Sequence, residues 1–466
     1  MTAVRTHEEL GAKLSDLIRT HEVPGAQLAV LDGDEIVEAA AGVLSLRTGC
    51  PVTADALFLP GSIGKLYTAT LIMQLVDAGR IELDSPVRAY LREFRVEDEQ
   101  ASDVVTARHL LSHKSGLDGD RFSDTGRGDD ALALYVAGCA DLPQIAPPGL
   151  IWSYGNSGYS ILGRIVEVLH GTTFEAVLRE RIFEPLSFGH TVSFAEEAIV
   201  HAVSVGHTLD QEKRLAVSSP WGLPPACGPM GPAVIASAGD VLRFVQSHLR
   251  GDAREGAQLL EASLVSAMQQ EQVQLLDDRL GRAWGLGWIL DRWGEVDVIG
   301  HDGNVIGQNA FMRVAPGARF GFCLQTNVGS ALLLYREVAS WLFSERFGCG
   351  VGPRPDPEKT DEQAVADPAR FTGVYQREGL RLEVSADDSA HLLATVTPTR
   401  ELPQNRGWPP MVNLPLHPTD RADTFMLRVP IADAEIPVVF FAPEDPGGKP
   451  TYVHYGGRAK RRVSGG

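Results

Sequence analysis

The sequence predicts an α+β fold, in which an antiparallel sheet with flanking helices and a helical region is followed by a small C-terminal β-barrel. Three observations predict it. Apolar runs typical of strands lie near both ends of the first 350 residues, and the pattern between them is mainly helical. A stretch rich in proline and charge then precedes a series of short alternating segments. At 466 residues with 44% hydrophobic content, the chain is long enough to bury two cores.

The first domain is predicted over residues 1–350, with one sheet built from both ends of this segment. The stretch "HEELGAKLSDLIRTHEV" has helical apolar spacing, and "AQLAVLDGDEIVEAAAG" after it indicates a hairpin. Near the other end, "VDVIGHDGNVIGQNAFMRVAPGARFGFCLQTNV" predicts three strands broken at Gly303 and at Pro316-Gly317. An apolar helix is expected next, from about Ala331 to Phe347.

A linker is predicted over residues 351–368, where "VGPRPDPEKTDEQAVADP" is rich in proline and charge, and a second domain over 369–466. The segments "LRLEVSA", "HLLATVTP", "TFMLRVP", "IPVVFFAP" and "TYVHYGG" are short, alternating and separated by turn residues. This pattern is typical of a small β-barrel. Because every motif described below precedes the linker, we expect the barrel to shape access to the site or to form an oligomer contact, without supplying catalytic groups.

Composition excludes several classes of function. The formal charge of −18, from 60 acidic and 42 basic residues, argues against binding to a phosphate backbone, so no nucleic acid partner is expected. No signal-peptide core and no membrane-spanning run is apparent, and we therefore expect a cytoplasmic protein without a membrane partner. The five cysteines lie far apart and form no CxxC pair, which predicts free thiols. Neither a metal nor a cofactor is expected.

Ser62 and Lys65 form an SxxK spacing within "LFLPGSIGKLYTATL". Only seven of the 42 basic residues are lysine, so a lysine at this position favours a role that arginine cannot fill. Pro60-Gly61 breaks the chain before a predicted helix, which places the Lys65 amine one turn from the Ser62 hydroxyl. A desolvated lysine can lose its proton and then accept the serine proton, whereas an arginine stays charged. The alternative is an ordinary helix start.

Two further motifs add candidate groups. Tyr154-Gly155-Asn156 is the only YxN among nine tyrosines, and a tyrosine beside a lysine can relay protons while an asparagine binds a substrate amide. The other motif, "HDGN" from His301 to Asn304, lies at a predicted strand start, where Gly303 would let a substrate backbone approach closely. Packing in the core is the alternative for Tyr154.

In this order and at these spacings, the three motifs resemble the serine β-lactamase and penicillin-binding-protein superfamily, and most closely its class C β-lactamase-like branch. The resemblance covers about residues 7–347 and implies a β-lactamase/transpeptidase-like fold without a metal. It also implies the catalytic residues, with Ser62 as the nucleophile, Lys65 as the base that activates it, and Tyr154 as the group that protonates the leaving group. Asn156 would bind the substrate that supplies the acyl group, and the backbone N–H groups of Ser62 and Asn304 would form the oxyanion hole. His301 takes the place of a lysine found in many relatives. The barrel resembles the lipocalin-like domains appended to some members.

Three functions remain open from the sequence. The leading hypothesis is a serine acyl enzyme, of esterase, amidase or peptidase type, that cleaves a small-molecule ester or amide through an acyl-Ser62 intermediate. The second is an acyltransferase that passes the acyl group to an amine or alcohol, and the third is a non-catalytic ligand-binding protein on the same fold. A homo-oligomer is compatible with each. His301 should be mostly neutral at pH 7, and Asp302 is acidic. We therefore expect the acyl donor, the substrate that supplies the acyl group, to have no free carboxylate.

Overall fold

The computed structural model describes residues 6–210, 212, 214–249, 258–277, 279–329, 331–349, 358–360, 364–400, 409–430, 434–445 and 447–463. The helices are α1 (His7–Thr20), α2 (Lys65–Asp77), α3 (Glu99–Val104), α4 (Ala107–Leu111), α5 (Ala131–Ala137), α6 (Ser157–His170), α7 (Phe174–Leu178), α8 (Ala195–Ala198), α9 (Ala238–Ser247), α10 (Ala262–Met268) and α11 (Leu332–Phe347). Within these described ranges, no helix combines the length and apolar character needed to cross a bilayer.

One antiparallel sheet of eight strands forms the centre of the first domain, in the order β2-β1-β12-β11-β10-β9-β8-β7. The first twelve strands are β1 (Gly25–Asp32), β2 (Glu35–Gly42), β3 (Thr191–Val192), β4 (His207–Leu209), β5 (Leu215–Val217), β6 (Ile235–Ala236), β7 (Val273–Gln274), β8 (Ala283–Trp284), β9 (Ile289–Trp293), β10 (Val296–Val305), β11 (Gln308–Ala315) and β12 (Phe320–Thr326). The pairing of β1 with β12 confirms the prediction that both ends of the segment build one sheet.

The two faces of this sheet are covered by different helices. Because side chains alternate along a strand, Leu28 and Val30 of β1 pack into a core with α1 and α11, whereas Ala29 and Leu31 pack into a larger core with α2 and α6. The predicted helical region therefore lies on one side of the sheet, and the first and last helices of the domain lie on the other. This arrangement confirms the predicted α+β class.

The strand that contains Gly303 is longer than predicted. β10 continues through Gly303 to Val305 and turns into β11 at Ile306 and Gly307, so the predicted break at Gly303 is wrong. Gly307 has a φ of +75°, a conformation that glycine adopts without strain, and the turn therefore forms there. The predicted turn at Pro316-Gly317 is present as a short 3₁₀ turn.

The C-terminal segment is a closed barrel of eight antiparallel strands. These are β13 (Gly373–Arg377), β14 (Leu380–Ala386), β15 (Leu392–Pro398), β16 (Met411–Pro418), β17 (Thr424–Val429), β18 (Ala434–Phe441), β19 (Tyr452–Tyr455) and β20 (Arg458–Val463). The side chains of Phe371, Tyr375, Phe425 and Phe440 pack against one another in its core. Much of the predicted 351–368 linker, namely 351–357 and 361–363, lies outside the described residues.

Candidate active site

Ser62 lies in a 3₁₀ turn, Gly61–Gly64, that leads directly into α2 at Lys65. The helix start was predicted at Ser62, and the structure differs only in the tighter first turn. Lys65 Nζ lies 2.9 Å from Ser62 Oγ, so the two groups of the SxxK spacing are in contact. Their chemistry now depends on the protonation of the amine.

Lys65 is fully buried, and its amine contacts two other oxygen atoms. Nζ donates to Asn156 Oδ1 at 2.7 Å and to the Met230 carbonyl oxygen at 2.5 Å. Burial lowers the pKa of Lys65 well below its usual value. A neutral amine has two N–H donors and one lone pair, and both oxygen partners can only accept. The lone pair is then left for the hydroxyl hydrogen of Ser62, which is the geometry of a general base beside its nucleophile.

Tyr154 lies on the other side of the amine, with its ring centroid 5.1 Å from Lys65 Nζ. Burial raises the pKa of Tyr154 above its usual value, although a hydrogen bond with Ser62 acts in the opposite direction. Tyr154 is therefore a protonated phenol at neutral pH that can donate to an oxygen or nitrogen at the serine. The loop is held by His113, whose Nδ1 accepts from Gly155 N at 3.1 Å and whose ring centroid lies 4.3 Å from that of Tyr154.

The segment of β10 nearest Ser62 has an open edge. Pairing with β9 ends where Gly300 opposes Ile289, so the structure as described shows residues 301–305 paired with β11 alone. Backbone groups on an unpaired edge can bind an extended substrate in the manner of an added strand.

The backbone of this strand is in close contact with the turn that carries Ser62. A methyl group built on Gly303 would lie 1.8 Å from the Pro60 carbonyl oxygen and 3.2 Å from Ser62 N, and one built on Gly61 would lie 3.0 Å from Asn304 N. Gly303 was expected to make room for a substrate backbone, and the structure shows that the protein's own backbone fills that space. This contact holds the backbones at Ser62 and Asn304 close to each other.

His301 is buried and neutral. Its Nδ1 lies 2.6 Å from the Asp302 carbonyl oxygen, which can only accept, so Nδ1 carries the hydrogen and Nε2 has a lone pair. Burial is the main cause that lowers the pKa of His301 to about 3. The Asp302 carboxylate accepts two hydrogen bonds from Arg313, at 2.6 and 3.0 Å. The acidity of Asp302 was one reason to expect a substrate without a free carboxylate. Because Arg313 balances the charge of Asp302, that reason no longer holds.

These groups line a cavity of about 330 Å³. Apolar side chains form much of its wall, among them Phe122, Leu223, Leu280, Ile289 and Phe311. Ser62, Tyr154, Asn156, His301, Gly303 and Asn304 all border it. Lys65, which lies beneath the surface, reaches the cavity through Ser62. The structure thus brings all seven predicted site residues together.

Four residues at this site were not anticipated. Arg458, from the barrel, lines the cavity, and Asp120 accepts from Asn156 Nδ2 at 2.7 Å. His113 orients the Tyr154 loop, and Trp284 borders the cavity. The "HLLSHKSGL" stretch was a signal for His113, whereas nothing local marked Arg458. Across the described ranges, no group of three or more His, Cys, Asp or Glu side chains is arranged as a metal site.

Comparisons with known proteins find similar sequences and a similar fold. The family model described as Beta-lactamase matches residues 9–336. "Penicillin-binding protein 4" of Amycolatopsis lactamdurans is 41% identical over 360 residues, which cover 76% of this chain and 93% of that protein. "Esterase EstB" of Burkholderia gladioli is 26% identical over 288 residues, or 55% of this chain and 72% of that one. The crystal structure of SurE with D-Leu superposes with a TM-score of 0.78 and 28% identity, covering 98% of this chain and 99% of that one.

Proposed function

The chain belongs to the β-lactamase family, and from that membership we propose that it is a serine acyl enzyme that cleaves an ester or amide bond through an acyl-Ser62 intermediate. One observation carries the proposal: the buried amine of Lys65 lies 2.9 Å from Ser62 Oγ, and two acceptor oxygens occupy its N–H groups. An amine in this position takes the serine proton as Ser62 attacks the donor carbonyl carbon.

The remaining groups supply the other requirements of acyl transfer. The Ser62 and Asn304 N–H groups stabilise the oxyanion that forms when the carbonyl carbon becomes tetrahedral. The Tyr154 phenol donates its proton to the departing alcohol or amine, and the proton taken by Lys65 then passes to the phenolate. The acyl group remains as an ester on Ser62 until water or another nucleophile attacks it.

The donor is proposed to be uncharged and to carry an apolar side chain next to the reacting carbonyl. His301 is neutral, and the charge of Asp302 is balanced by Arg313, so a free donor carboxylate gains no unpaired cation from this part of the wall. The apolar wall favours a hydrophobic group. Similarity to SurE, which was solved with D-Leu, supports a D-configured residue at this position.

Acyl transfer to an amine is the second candidate, and the Nε2 atom of His301 favours it. This atom is buried, has a lone pair and has no hydrogen-bond partner within the described structure. A group that satisfies it must be a donor, and an incoming amine supplies N–H groups. His301 would then orient the acceptor amine rather than deprotonate it, because its pKa of about 3 makes it a weak base.

Intact-protein mass spectrometry tests the proposal. The p-nitrophenyl esters of N-acetyl-D-leucine and N-acetyl-L-leucine are mixed with wild type and with Ser62→Ala. We expect an acyl adduct on wild type that forms faster with the D ester, and no adduct on Ser62→Ala. Turnover with and without a millimolar amine separates hydrolysis from transfer. An adduct that persists on Ser62→Ala would contradict the proposed nucleophile, and failure of wild type to acylate with either ester would favour the non-catalytic hypothesis.

A further inference from the structure

The hairpin of β19 and β20 joins the barrel to the loop that carries Tyr154. Tyr154 N donates to the Gly457 carbonyl oxygen at 3.1 Å, and Ala459 N donates to Ser153 Oγ at 3.1 Å. Ala459 is also part of an apolar cluster with Ile145 of the first domain. The hairpin is therefore bonded to two consecutive residues of the active-site loop, Ser153 and Tyr154.

Two buried carboxylates lie beside this contact. Asp118 and Asp120 each expose 1% of their side chain, and the arginines that pair with them belong to the barrel. Arg377 lies 2.9 Å from Asp118 and 3.0 Å from Asp120, and Arg458 Nε lies 2.8 Å from Asp120. A buried ionised carboxylate that loses such a partner strongly destabilises the fold. The charges of the two domains are thus balanced across their contact.

Asp120 connects these arginines to the base. Its Oδ1 accepts from Asn156 Nδ2 at 2.7 Å, and Asn156 Oδ1 accepts from Lys65 Nζ at 2.7 Å. An amide can turn over and exchange its oxygen for its nitrogen, and a carboxylate on one side prevents this because it only accepts. Asp120 therefore keeps the Asn156 oxygen directed at Lys65.

We propose that the barrel contributes positioning residues to the catalytic centre. Arg458 and Arg377 of the barrel hold the carboxylate of Asp120, and Asp120 orients Asn156, which in turn positions Lys65. Arg458, Arg377 and Asp120 are positioning residues, because each acts on Ser62 through another side chain, namely Lys65 or, for Arg458, also Tyr154. The inference rests on the proposed function, since it takes Lys65 as the base. It gives the barrel a role in catalysis that does not depend on a ligand bound inside the barrel.

The charged groups around Lys65 shift its pKa, and this shift can be measured. The titratable and charged groups that surround its amine are Tyr154, Tyr159, His113, His301, Cys227, Asp120 and Arg458. Burial is the main cause that lowers the pKa of Lys65, the negative charge of Asp120 raises it, and the positive charge of Arg458 lowers it further. Replacing Arg458 or Asp120 by a neutral residue therefore moves this pKa in opposite directions.

The test compares pH profiles of kcat/KM for the full chain with p-nitrophenyl acetate. Activity requires neutral Lys65, so it falls as the pH drops through the Lys65 pKa. We expect Arg458→Gln to move this acid limb to higher pH and Asp120→Asn to move it to lower pH. A limb that moves by one pH unit changes the rate at a fixed pH on it about tenfold. Arg461→Gln, an exposed arginine on the same strand, serves as the matched control and should keep the wild-type profile.

Arg458→Lys provides the second variant, because it retains the charge but not the planar fork. It should keep the acid limb near that of wild type, and it remains informative if Arg458→Gln does not fold. If Arg458→Gln and Asp120→Asn both keep the wild-type limb and differ only in Tm, the hairpin is merely structural and the inference is overturned. An acid limb that shifts equally in Arg461→Gln overturns it as well. If instead wild type never acylates at Ser62, the proposed function fails first, which separates the two failures.

Discussion

The guanidinium carbon of Arg458 lies 4.9 Å from the ring centroid of Tyr154, so a cation from the barrel covers one face of the proposed proton donor. Such a contact is favourable and is strengthened where water is excluded. It stabilises the phenolate that Tyr154 becomes after it has given up its proton. Burial still dominates and raises the Tyr154 pKa, which keeps the phenol protonated before the reaction.

Tyr154→Phe is expected to slow acylation by about 100-fold or more, because a general acid contributes at least about that factor to proton transfer. The loss should be smallest for esters with good leaving groups, which need no proton. Stopped-flow acylation with p-nitrophenyl and alkyl esters measures this. Equal losses for both ester types would contradict a role in leaving-group protonation.

Lys65→Arg should lose nearly as much activity as Lys65→Ala, by about 100-fold or more, because arginine stays protonated and cannot accept the serine proton. The longer side chain must also fit a fully buried position, so Tm is measured alongside turnover. An arginine variant with activity near wild type would reduce Lys65 to an electrostatic partner.

Gly303→Ala is expected to displace the turn that carries Ser62, because the added methyl group would lie 1.8 Å from the Pro60 carbonyl oxygen. Overpacking of this kind costs about 1–3 kcal/mol, and a displaced oxyanion donor lowers kcat by about 100-fold. Gly317→Ala is the control, since its methyl group would meet open space. Denaturant unfolding and kcat are compared for both, and a Gly303→Ala variant that matches the control contradicts the contact.

Donor charge is expected to decide selectivity at His301. Wild type should turn over a methyl ester in preference to a donor with the matching free C-terminal carboxylate. His301→Lys should shift this ratio towards the carboxylate by about 1.5–3 kcal/mol, the range for a hydrogen bond to a charged group. Competition kinetics measure the ratio. A wild type that prefers carboxylate-terminated D-Ala-D-Ala peptides would contradict the expectation.

His454, at the contact between the domains, should make the protein sensitive to acid. Its ring is fully buried beside Trp152, and burial lowers its pKa from 6.5 to about 3. The unfolded chain therefore binds a proton that the folded chain excludes as the pH falls below about 6.5, and stability is lost in that window. Between pH 7 and pH 5 this group costs about 2 kcal/mol. His454→Leu should lose that much less stability over the same interval in urea unfolding, and an unchanged dependence would contradict burial of the neutral ring.

Local patterns predicted the strands of the central sheet and the nucleophile, whereas the contact between the barrel and the active-site loop escaped prediction. β1 and β2 are apolar segments joined by a local turn, and the Ser62–Lys65 spacing is a single helical turn. β20 has the basic sequence "RAKRRV", which lacks the apolar alternation of a strand. Arg458, the first of its cations, pairs with Asp120 of the other domain, and one sequence does not reveal that pairing.

The Asp120–Arg458 bond also sets an order of events in folding, because 338 positions of the chain separate its two ends. Closing so long a loop is slow compared with forming helices and hairpins. On refolding, we expect circular dichroism to recover before acylation does, since the first domain can regain its helices while Asp120 still lacks its distant partner. The delay between the two signals would then be the docking time of the barrel, a quantity that dilution from denaturant makes directly observable.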